Sequence, residues 1–268
     1  MVAATRRVSV RGAVARACLA LCVAACVLLS TATSSAGDDP KRNWWTIATK
    51  HLRVHYPKRL EGVAVRVAKL SEAIHTRLIG PLGYAPKQVT HVVLTDATDS
   101  ANGSATAIPF NTVRLFVTAP GDLSPLNDYD DWLLGLITHE YTHILHTDNV
   151  SGLPSLINVL LGKTLVPNQV QPRWIIEGLA VVNESRYSSG GRIRSTLFDT
   201  YLRADVLDNT IARLDQISSN PQRWPNGTIW YLYGARFLQF IVDVYGHDVM
   251  RAVSADYGSW AVPWGINR

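Results

Sequence analysis

The stretch that decides the fold is Ile137-Thr138-His139-Glu140-Tyr141-Thr142-His143, which has the pattern H-E-x-x-H. On a helix, residues four apart share a face, so His139 and His143 project side by side. Two imidazoles placed in this way can each donate a ring nitrogen to one Zn²⁺ ion at roughly 2.0–2.1 Å. Glu140 lies about one hundred degrees round the same helix, where its carboxylate can take a proton from a water molecule beside the metal. The stretch therefore predicts a catalytic metal site.

The residues around this stretch favour a helix. Asp130 and Asp131 precede it, apolar residues fill most of positions 132–137, and Ile144 and Leu145 continue the apolar pattern. Acidic side chains are stabilising at a helix N-terminus, and an apolar run is typical of a helix inside a core. Both observations place the histidine pair on a buried helix.

A third ligand has to come from another part of the chain. His146 does not extend the motif, because the longer pattern H-E-x-x-H-x-x-G-x-x-H requires Gly at this position and His where Asn149 stands. Glu177 lies among apolar residues on the next predicted helix, and burying a lone carboxylate is costly unless it is paired or binds a metal. Gly178 beside it allows a close approach of the two helices. Glu177 is the predicted third ligand, and Glu184, two turns further along, either bonds a ligand imidazole or lies at the surface.

The cysteines limit the kind of metal site that is expected. Cys18, Cys22 and Cys26 all lie near the N-terminus, so the rest of the chain offers neither thiolate ligands nor disulfides. A site of histidine and carboxylate agrees with a catalytic Zn²⁺ that keeps one open position, because structural zinc sites usually use thiolates. Zn²⁺ is therefore the predicted cofactor.

Residues 1–36 are interpreted as a secretory signal peptide. Arginines up to Arg16 precede an apolar run at 17–29, and Ser34-Ser35-Ala36 supplies small residues for cleavage before Gly37. A membrane anchor is the alternative, although the run is short for a span, and lipidation of Cys26 is a further one. We expect an exported protein, periplasmic or extracellular, with membrane attachment through this segment left open.

The net charge of +5 comes almost entirely from this leader. Without its four arginines the chain has 22 basic and 21 acidic residues, a net charge of +1. Proteins that bind nucleic acid usually carry a clear basic surface, so nucleic acid is not an expected partner. An apolar content of 47% with 18% charged residues indicates a folded globular chain.

The periodicity of the chain predicts a small sheet before the helix that contains His139 and His143, here called the metal helix, and further helices after it. Alternating residues at 51–56, 89–94 and 112–117 predict strands, residues 60–78 predict a helix, and residues 96–107 predict a loop. His51, His55 and His91 fall in these strands and are interpreted as ordinary strand residues, not as ligands.

The second half of the chain is predicted to be helical. Residues 195–207, 228–245 and 248–257 each have a helical pattern. Apolar residues 156–161 lie in the connection between the two metal-binding helices. They are open to three interpretations: a lid over the cleft, an interfacial helix, or a segment packed against the core, which is the favoured one.

Three motifs in this order resemble those of the gluzincin zinc peptidases, specifically the peptidase MA-like group related to the aminopeptidase N family. That family has H-E-x-x-H, then W-x-x-E-G-x-A on the next helix, then Y-x-x-G on a later one. The second and third motifs stand here as Trp174-Ile175-Ile176-Glu177-Gly178-Leu179-Ala180 and Tyr231-Leu232-Tyr233-Gly234. In order and type, the resemblance covers about 100 residues.

The resemblance implies a role for each matching residue. The zinc ligands that it implies are His139, His143 and Glu177. Glu140 is implied as the general base, and Tyr231 as the residue that stabilises the tetrahedral oxyanion, with Tyr233 as the alternative. A phenol is a neutral donor that can stabilise charge where it develops, which agrees with this role.

The resemblance also implies a strand above the metal, at the edge of the sheet, that pairs with extended substrate backbone. Residues 111–117 are assigned to this edge strand, with an ordinary strand of the sheet as the alternative. The family's G-x-M-E-N strand, whose acid holds a free amino terminus, is missing, and Asn102-Gly103-Ser104 does not replace it. The spacing from His143 to Glu177 is also longer than in aminopeptidase N, so aminopeptidase specificity is not expected.

Together these observations predict an α+β, zincin-like, two-lobed metallopeptidase domain. Residues 37–129 are expected to form an N-terminal α/β lobe with the edge strand, and residues 130–268 a zinc-binding, mainly helical lobe. The expected function is zinc-dependent hydrolysis of peptide bonds in a peptide or protein substrate. The alternatives are a catalytically inactive zinc-holding module that binds peptide or cell-wall ligands, and a zinc hydrolase that acts on esters.

Overall fold

A mixed five-stranded sheet and seven helices form the part of the chain that the structure, a computed structural model, describes: residues 42–218 and 226–260. The signal peptide predicted at 1–36 lies outside these residues. The strands are Trp44–Ala48 (β1), Leu52–Pro57 (β2), Thr90–Thr95 (β3), Gly103–Thr106 (β4) and Thr112–Phe116 (β5). The helices are Glu61–Leu82 (α1), Trp132–Thr147 (α2), Gly152–Leu161 (α3), Arg173–Arg186 (α4), Thr196–Leu207 (α5), Thr228–Tyr245 (α6) and Asp248–Tyr257 (α7). The predicted α+β class is confirmed.

The sheet has the strand order β1-β2-β3-β5-β4, with β2, β3 and β5 parallel and the two outer strands antiparallel to their neighbours. Alternate residues of the inner strands are buried, among them Leu52, Val54, Val92 and Leu115. Because side chains alternate between the faces of a strand, this pattern directs one face of the sheet towards the core formed with α1 and α2.

The assignment of residues 111–117 to the sheet edge is wrong. β5 lies between β3 and β4, and the strand at this edge of the sheet is β4, whose residues were predicted to form a loop. β4 has the sequence Gly-Ser-Ala-Thr, whose small side chains show no apolar alternation. A short edge strand needs little apolar surface, so periodicity did not detect it.

The metal helix α2 lies between the sheet and the helices that follow. Asp131 caps its N-terminus, where the carboxylate accepts a hydrogen bond from the Leu134 N–H at 3.2 Å. Nearly every residue from Leu136 to Thr147 is buried, as is typical of a helix that is covered on all sides. Residues from Arg42 onward form one compact unit, and the predicted division into lobes at 129/130, just before α2, stays a prediction.

A pair of glycines brings α4 and α6 into backbone contact. A Cβ atom on Gly178 would lie 2.6 Å from the carbonyl carbon of Gly234, and one on Gly234 would lie 2.3 Å from the carbonyl oxygen of Trp174. Cβ atoms do not approach backbone so closely, so both positions require glycine. The contact places the first turn of α6, which contains Tyr231, beside the turn of α4 that contains Glu177.

Replacing Gly234 by alanine is expected to destabilise the fold by about 2 kcal/mol or more, because overpacking forces helices apart. Gly62, on the exposed surface of α1, has nothing within 4 Å of its Cβ position. Gly62→Ala is therefore the control, and should stabilise by about 0.5–1 kcal/mol through helix propensity alone. Urea unfolding measures both; equal effects of the two substitutions would contradict the proposed close contact.

Helix α3 exposes an apolar surface, so the favoured interpretation of residues 156–161 as a segment packed on the core is wrong. Leu156, Val159, Leu160 and Leu161 are between 57% and 78% exposed, and Pro154 is the buried residue of this helix. An apolar run favours burial wherever it occurs, so the sequence alone does not show whether other parts of the chain pack over it. No helix within the described residues is both long and apolar enough to cross a membrane.

His146 lies buried, outside the metal site. Its Nε2 lies 2.9 Å from Gln171 Oε1 and its Nδ1 lies 2.7 Å from Ser254 Oγ. A neutral ring satisfies both contacts by donating to the amide oxygen and accepting from the hydroxyl. Burial lowers the pKa of His146 to about 4, although the Gln171 contact partly opposes this shift.

This depressed pKa predicts a loss of stability in mild acid. The unfolded chain binds a proton at His146 near pH 6.5, whereas the folded chain binds it only near pH 4. The stabilisation is therefore complete above pH 6.5, and about 3 kcal/mol is lost as the pH falls to 4. In His146→Gln, urea unfolding at several pH values should show a shrinking difference from the parent below pH 6.5. A difference that stays constant down to pH 4 would contradict this.

Candidate metal centre

Three ligand atoms from α2 and α4 converge at one point. The Nε2 atoms of His139 and His143 are 3.2 Å apart, and Glu177 Oε2 lies 3.5 Å from the first and 3.3 Å from the second. The predicted triad is thus brought together, and these side chains form a group that could hold a metal ion. His139 and Glu177 are buried, and His143 is half-buried.

The spacing of these atoms fits a tetrahedral metal site. Ligand atoms bound at about 2.0–2.1 Å in tetrahedral geometry lie about 3.3–3.4 Å from one another, and the three observed separations lie within about 0.2 Å of this range. The donor set of two imidazoles and one carboxylate is one that catalytic zinc sites use. Three protein ligands leave one tetrahedral position without a protein group.

Glu184 bonds the far side of a ligand ring, and the alternative that it lies at the surface is wrong. Its Oε2 lies 2.8 Å from His139 Nδ1, and the carboxylate is buried. With its proton on Nδ1, His139 donates to Glu184 and presents the Nε2 lone pair to the ligand cluster. Burial opposes ionisation of Glu184, but Arg192 and His139 together lower the pKa of its carboxyl well below the usual value.

The acids around His139 control the charge of its ring. Burial and the nearby Arg192 favour the neutral ring, but Glu177 and Glu184 outweigh them and raise the pKa of His139 to about 9. The other oxygen of Glu177, Oε1, accepts a hydrogen bond from Arg173 at 3.3 Å, which leaves Oε2 directed at the two rings. A metal ion at this point would replace the proton of His139.

Glu140 is buried beside the ligand cluster without belonging to it. A Cβ atom placed on Gly103 would lie 2.7 Å from Glu140 Oε1, so the carboxylate packs directly against the backbone of β4. Burial raises the pKa of Glu140, and the neighbouring His139 and His143 partly oppose this. The carboxylate therefore lies between the ligand helix and the edge strand, as a general base for a substrate on β4 requires; that role stays a prediction.

The two candidate tyrosines of α6 lie in different environments. Tyr231 lines the cleft above the ligands, with its ring centroid 6.1 Å from that of His139. Tyr233 is buried away from the cleft, where its hydroxyl donates to Asp205 and accepts from the Ala212 N–H. Of the two, only Tyr231 is placed to reach a group in the cleft, and its part in stabilising an oxyanion stays a prediction.

The ligands lie in a cleft with a volume of about 780 Å³. Residues 101–107, which include the edge strand β4, form one wall, and side chains of α4 and α6, among them Arg173, Ile176 and Tyr231, form another. The edge strand and the cleft are therefore adjacent, as the resemblance implied, although a different segment supplies the strand. His51, His55 and His91 lie on or beside the sheet strands outside this cleft.

Sequence reasoning missed Arg192, which is buried against Glu184 and His139. The residue follows Gly190 and Gly191, a pair that by itself predicts only a break in the helix. An arginine after two glycines gives no sign of burial, because its partners lie on other elements: Glu184 on α4 and His139 on α2. Only the folded contact identifies it.

Comparison with known proteins gives partial similarities. No protein-family model matches this chain. An uncharacterized protein of Treponema pallidum (strain Nichols) is 26% identical over 206 residues, which cover 76% of this chain and 18% of that protein. The crystal structure of an aminopeptidase N family protein from Idiomarina loihiensis superposes with a TM-score of 0.48 at 14% identity, covering 83% of this chain and 42% of that chain. This chain thus spans less than half of either protein.

Proposed function

We propose that this chain is a zinc-dependent peptide hydrolase. The observation that supports it most strongly is the near-equilateral triangle formed by the Nε2 atoms of His139 and His143 and by Glu177 Oε2, with sides of 3.2 to 3.5 Å. Glu140 beside this triangle and Tyr231 across the cleft complete the set that the motif resemblance implies.

In the proposed reaction, zinc when bound supplies a Lewis acid that polarises the scissile carbonyl and makes water more acidic. Glu140 accepts the proton of the attacking water while the water oxygen forms a bond to the carbonyl carbon. The C–N bond then breaks, and Glu140 delivers the proton to the leaving amine. The proton thus passes from the attacking water through Glu140 to the leaving amine, and the water oxygen stays on the carbonyl carbon.

Two further groups of the cleft bind the substrate in this proposal. The Tyr231 phenol donates a hydrogen bond to the oxygen that becomes negatively charged, where a fixed donor is most effective. β4 pairs with β5 through one edge, and an extended peptide adds to its other edge by backbone hydrogen bonds. Backbone pairing gives affinity without strong side-chain selection, so we expect a broad range of peptide sequences to bind.

Digestion of a denatured proteome by the full chain tests the proposal, with the fragments identified by sequencing. We expect cleavage that a chelator abolishes and that added zinc restores. A chain that binds one equivalent of zinc and cleaves no peptide would overturn the proposal. That result would favour the zinc-holding binding module if peptides still bind, and the ester hydrolase if zinc-dependent turnover appears with ester substrates. Export of the chain is part of the proposal and depends on the leader at 1–36.

A further inference from the structure

Arg192 joins two parts of the candidate site through one buried guanidinium. The residue is 8% exposed, and its Nε and one terminal nitrogen donate to the two oxygens of Glu184 at 2.8 and 2.6 Å. The Arg192 backbone N–H adds a third hydrogen bond to Glu184 Oε1 at 3.2 Å. These three donors fix both oxygens of the carboxylate, so Glu184 has no freedom to rotate.

The turn that contains Arg192 is held against α4. Gly191 has a φ of +100°, and a Cβ atom there would lie 2.5 Å from Ser185 Oγ, so glycine is required for this close approach. Two residues later, Arg194 donates to the carbonyl oxygens of Ser185 and Gly190. The conformation of this turn therefore places Arg192 at the site, and the hydrogen bonds of Arg194 stabilise the backbone of the turn.

The fixed carboxylate determines how His139 faces the ligand cluster. Glu184 Oε2 lies 2.8 Å from His139 Nδ1 and also receives the Arg192 terminal nitrogen at 2.6 Å. That same nitrogen is 2.8 Å from His139 Nδ1, so without Glu184 it would donate to Nδ1 and leave the proton on Nε2. With Glu184 Oε2 as the shared acceptor of both groups, Nδ1 keeps its proton and donates it in a hydrogen bond to the carboxylate, and the Nε2 lone pair can bind a metal.

The other side of the guanidinium faces Tyr231. The central carbon of Arg192 lies over the tyrosine ring, 4.6 Å from its centroid, within the range of a cation–π contact. Tyr231 lies on α6 and Glu184 on α4, so the same planar group contacts both helices. Arg192 thus fixes a ring in the cleft as well as the carboxylate behind a metal ligand.

We propose that Arg192 is a positioning residue that sets the orientation of His139, through Glu184, and that of Tyr231 at the same time. The proposal rests on the proposed function and adds a residue to its machinery. A merely stabilising role is a poor explanation of this contact, because a buried ion pair contributes little to stability compared with apolar residues of the same volume. A planar fork is required for the paired hydrogen bonds to the two oxygens of Glu184 and for stacking on the Tyr231 ring, and a lysine ammonium has no such fork.

The test measures zinc affinity by competition with a chelator, together with peptide cleavage, in Arg192→Met, Arg192→Lys and Arg194→Met. Groups behind a metal ligand typically change affinity about 10–100-fold, and we expect Arg192→Met to weaken zinc binding by this factor. We also expect a lower kcat with KM changed less than about threefold, because Tyr231 acts on the transition state. Arg192→Lys should recover part of the affinity, since it restores the charge without the fork.

Arg194→Met is the matched control, because Arg194 lies in the same turn and, among the residues that the structure describes, its hydrogen bonds go to the backbone carbonyls of Ser185 and Gly190. It is expected to lower Tm and to leave zinc affinity within about twofold of the parent, well below the change expected behind a ligand. If Arg192→Met does not fold, Arg192→Lys supplies the same measurement. Parental zinc affinity and kcat in a folded Arg192 variant, or an equal loss of zinc affinity in Arg194→Met, would overturn the proposal.

Zinc affinity is measured without substrate, so the two proposals fail separately. A parent chain that binds zinc and cleaves no peptide overturns the peptide hydrolase, while the affinity comparison still decides the role of Arg192. A parent chain that cleaves peptides, with folded Arg192 variants that match it in both measurements, overturns only the positioning role.

Discussion

Replacing Glu140 by glutamine is expected to reduce peptide cleavage by about 10²–10⁴-fold, the range typical of a lost general base. The amide has the shape of the carboxylate but cannot accept the proton of the attacking water. Because its volume is nearly the same, it also fits where the carboxylate packs against the backbone of Gly103. The fold and the zinc content should therefore remain those of the parent. Cleavage kinetics together with zinc analysis measure both expectations.

The control for this substitution is Glu72→Gln. Glu72 is an acid of α1 outside the cleft, which accepts hydrogen bonds from Thr49 and from the His51 N–H. We expect Glu72→Gln to lower stability, because the amide accepts fewer of these hydrogen bonds. Cleavage should stay within about twofold of the parent, because Glu72 lies outside the cleft. Parental cleavage by Glu140→Gln would show that this carboxylate is not the base, and the proposed mechanism would be wrong.

The ligand cluster could be predicted because its information is local. His139 and His143 occupy one helix face at a fixed spacing of four residues, and any helix brings them together. Glu177 could be proposed because an acid in an apolar helix needs a partner. The expectation that Gly178 allows a close approach of α4 to α2 is wrong, because the Cβ position of Gly178 faces the backbone of Gly234 on α6. This contact with α6 explains why Tyr231 lies over the site.

The parts that escaped prediction depend on contacts between distant segments. β4 is a strand because it pairs with β5 and packs on Glu140, although its sequence of small residues has no strand periodicity. The burial of Arg192 follows from the position of Glu184 on α4. The apolar helix α3 shows the opposite case, since its sequence favours burial and its leucines are exposed. In each case the tertiary contacts of the segment, and not its local sequence pattern, determine whether it pairs or is buried.

Replacing Glu177 by glutamine is expected to weaken zinc binding by about 10²–10³-fold, with peptide cleavage lost at ordinary zinc concentrations. Zinc sites with four protein ligands bind with roughly 10–16 kcal/mol, or about 2.5–4 kcal/mol for each ligand. Removing one charged ligand removes about that amount. The carboxamide has nearly the same volume, so the core around α4 should stay packed. Competition with a chelator measures the affinity, and calorimetry of the metal-free protein checks the fold.

The two glutamine variants differ in what they retain, and this difference separates the ligand from the base. Glu140→Gln should keep zinc and lose turnover, whereas Glu177→Gln should lose zinc and turnover together, with activity partly recovered at high zinc concentration by mass action. The prediction depends on Glu177 Oε2 lying 3.3 and 3.5 Å from the two ring nitrogens. If Glu177→Gln binds zinc as tightly as the parent, Glu177 is not a zinc ligand, and its contacts with the two histidine rings are ion pairs. The peptide hydrolase proposal would then lose its main support.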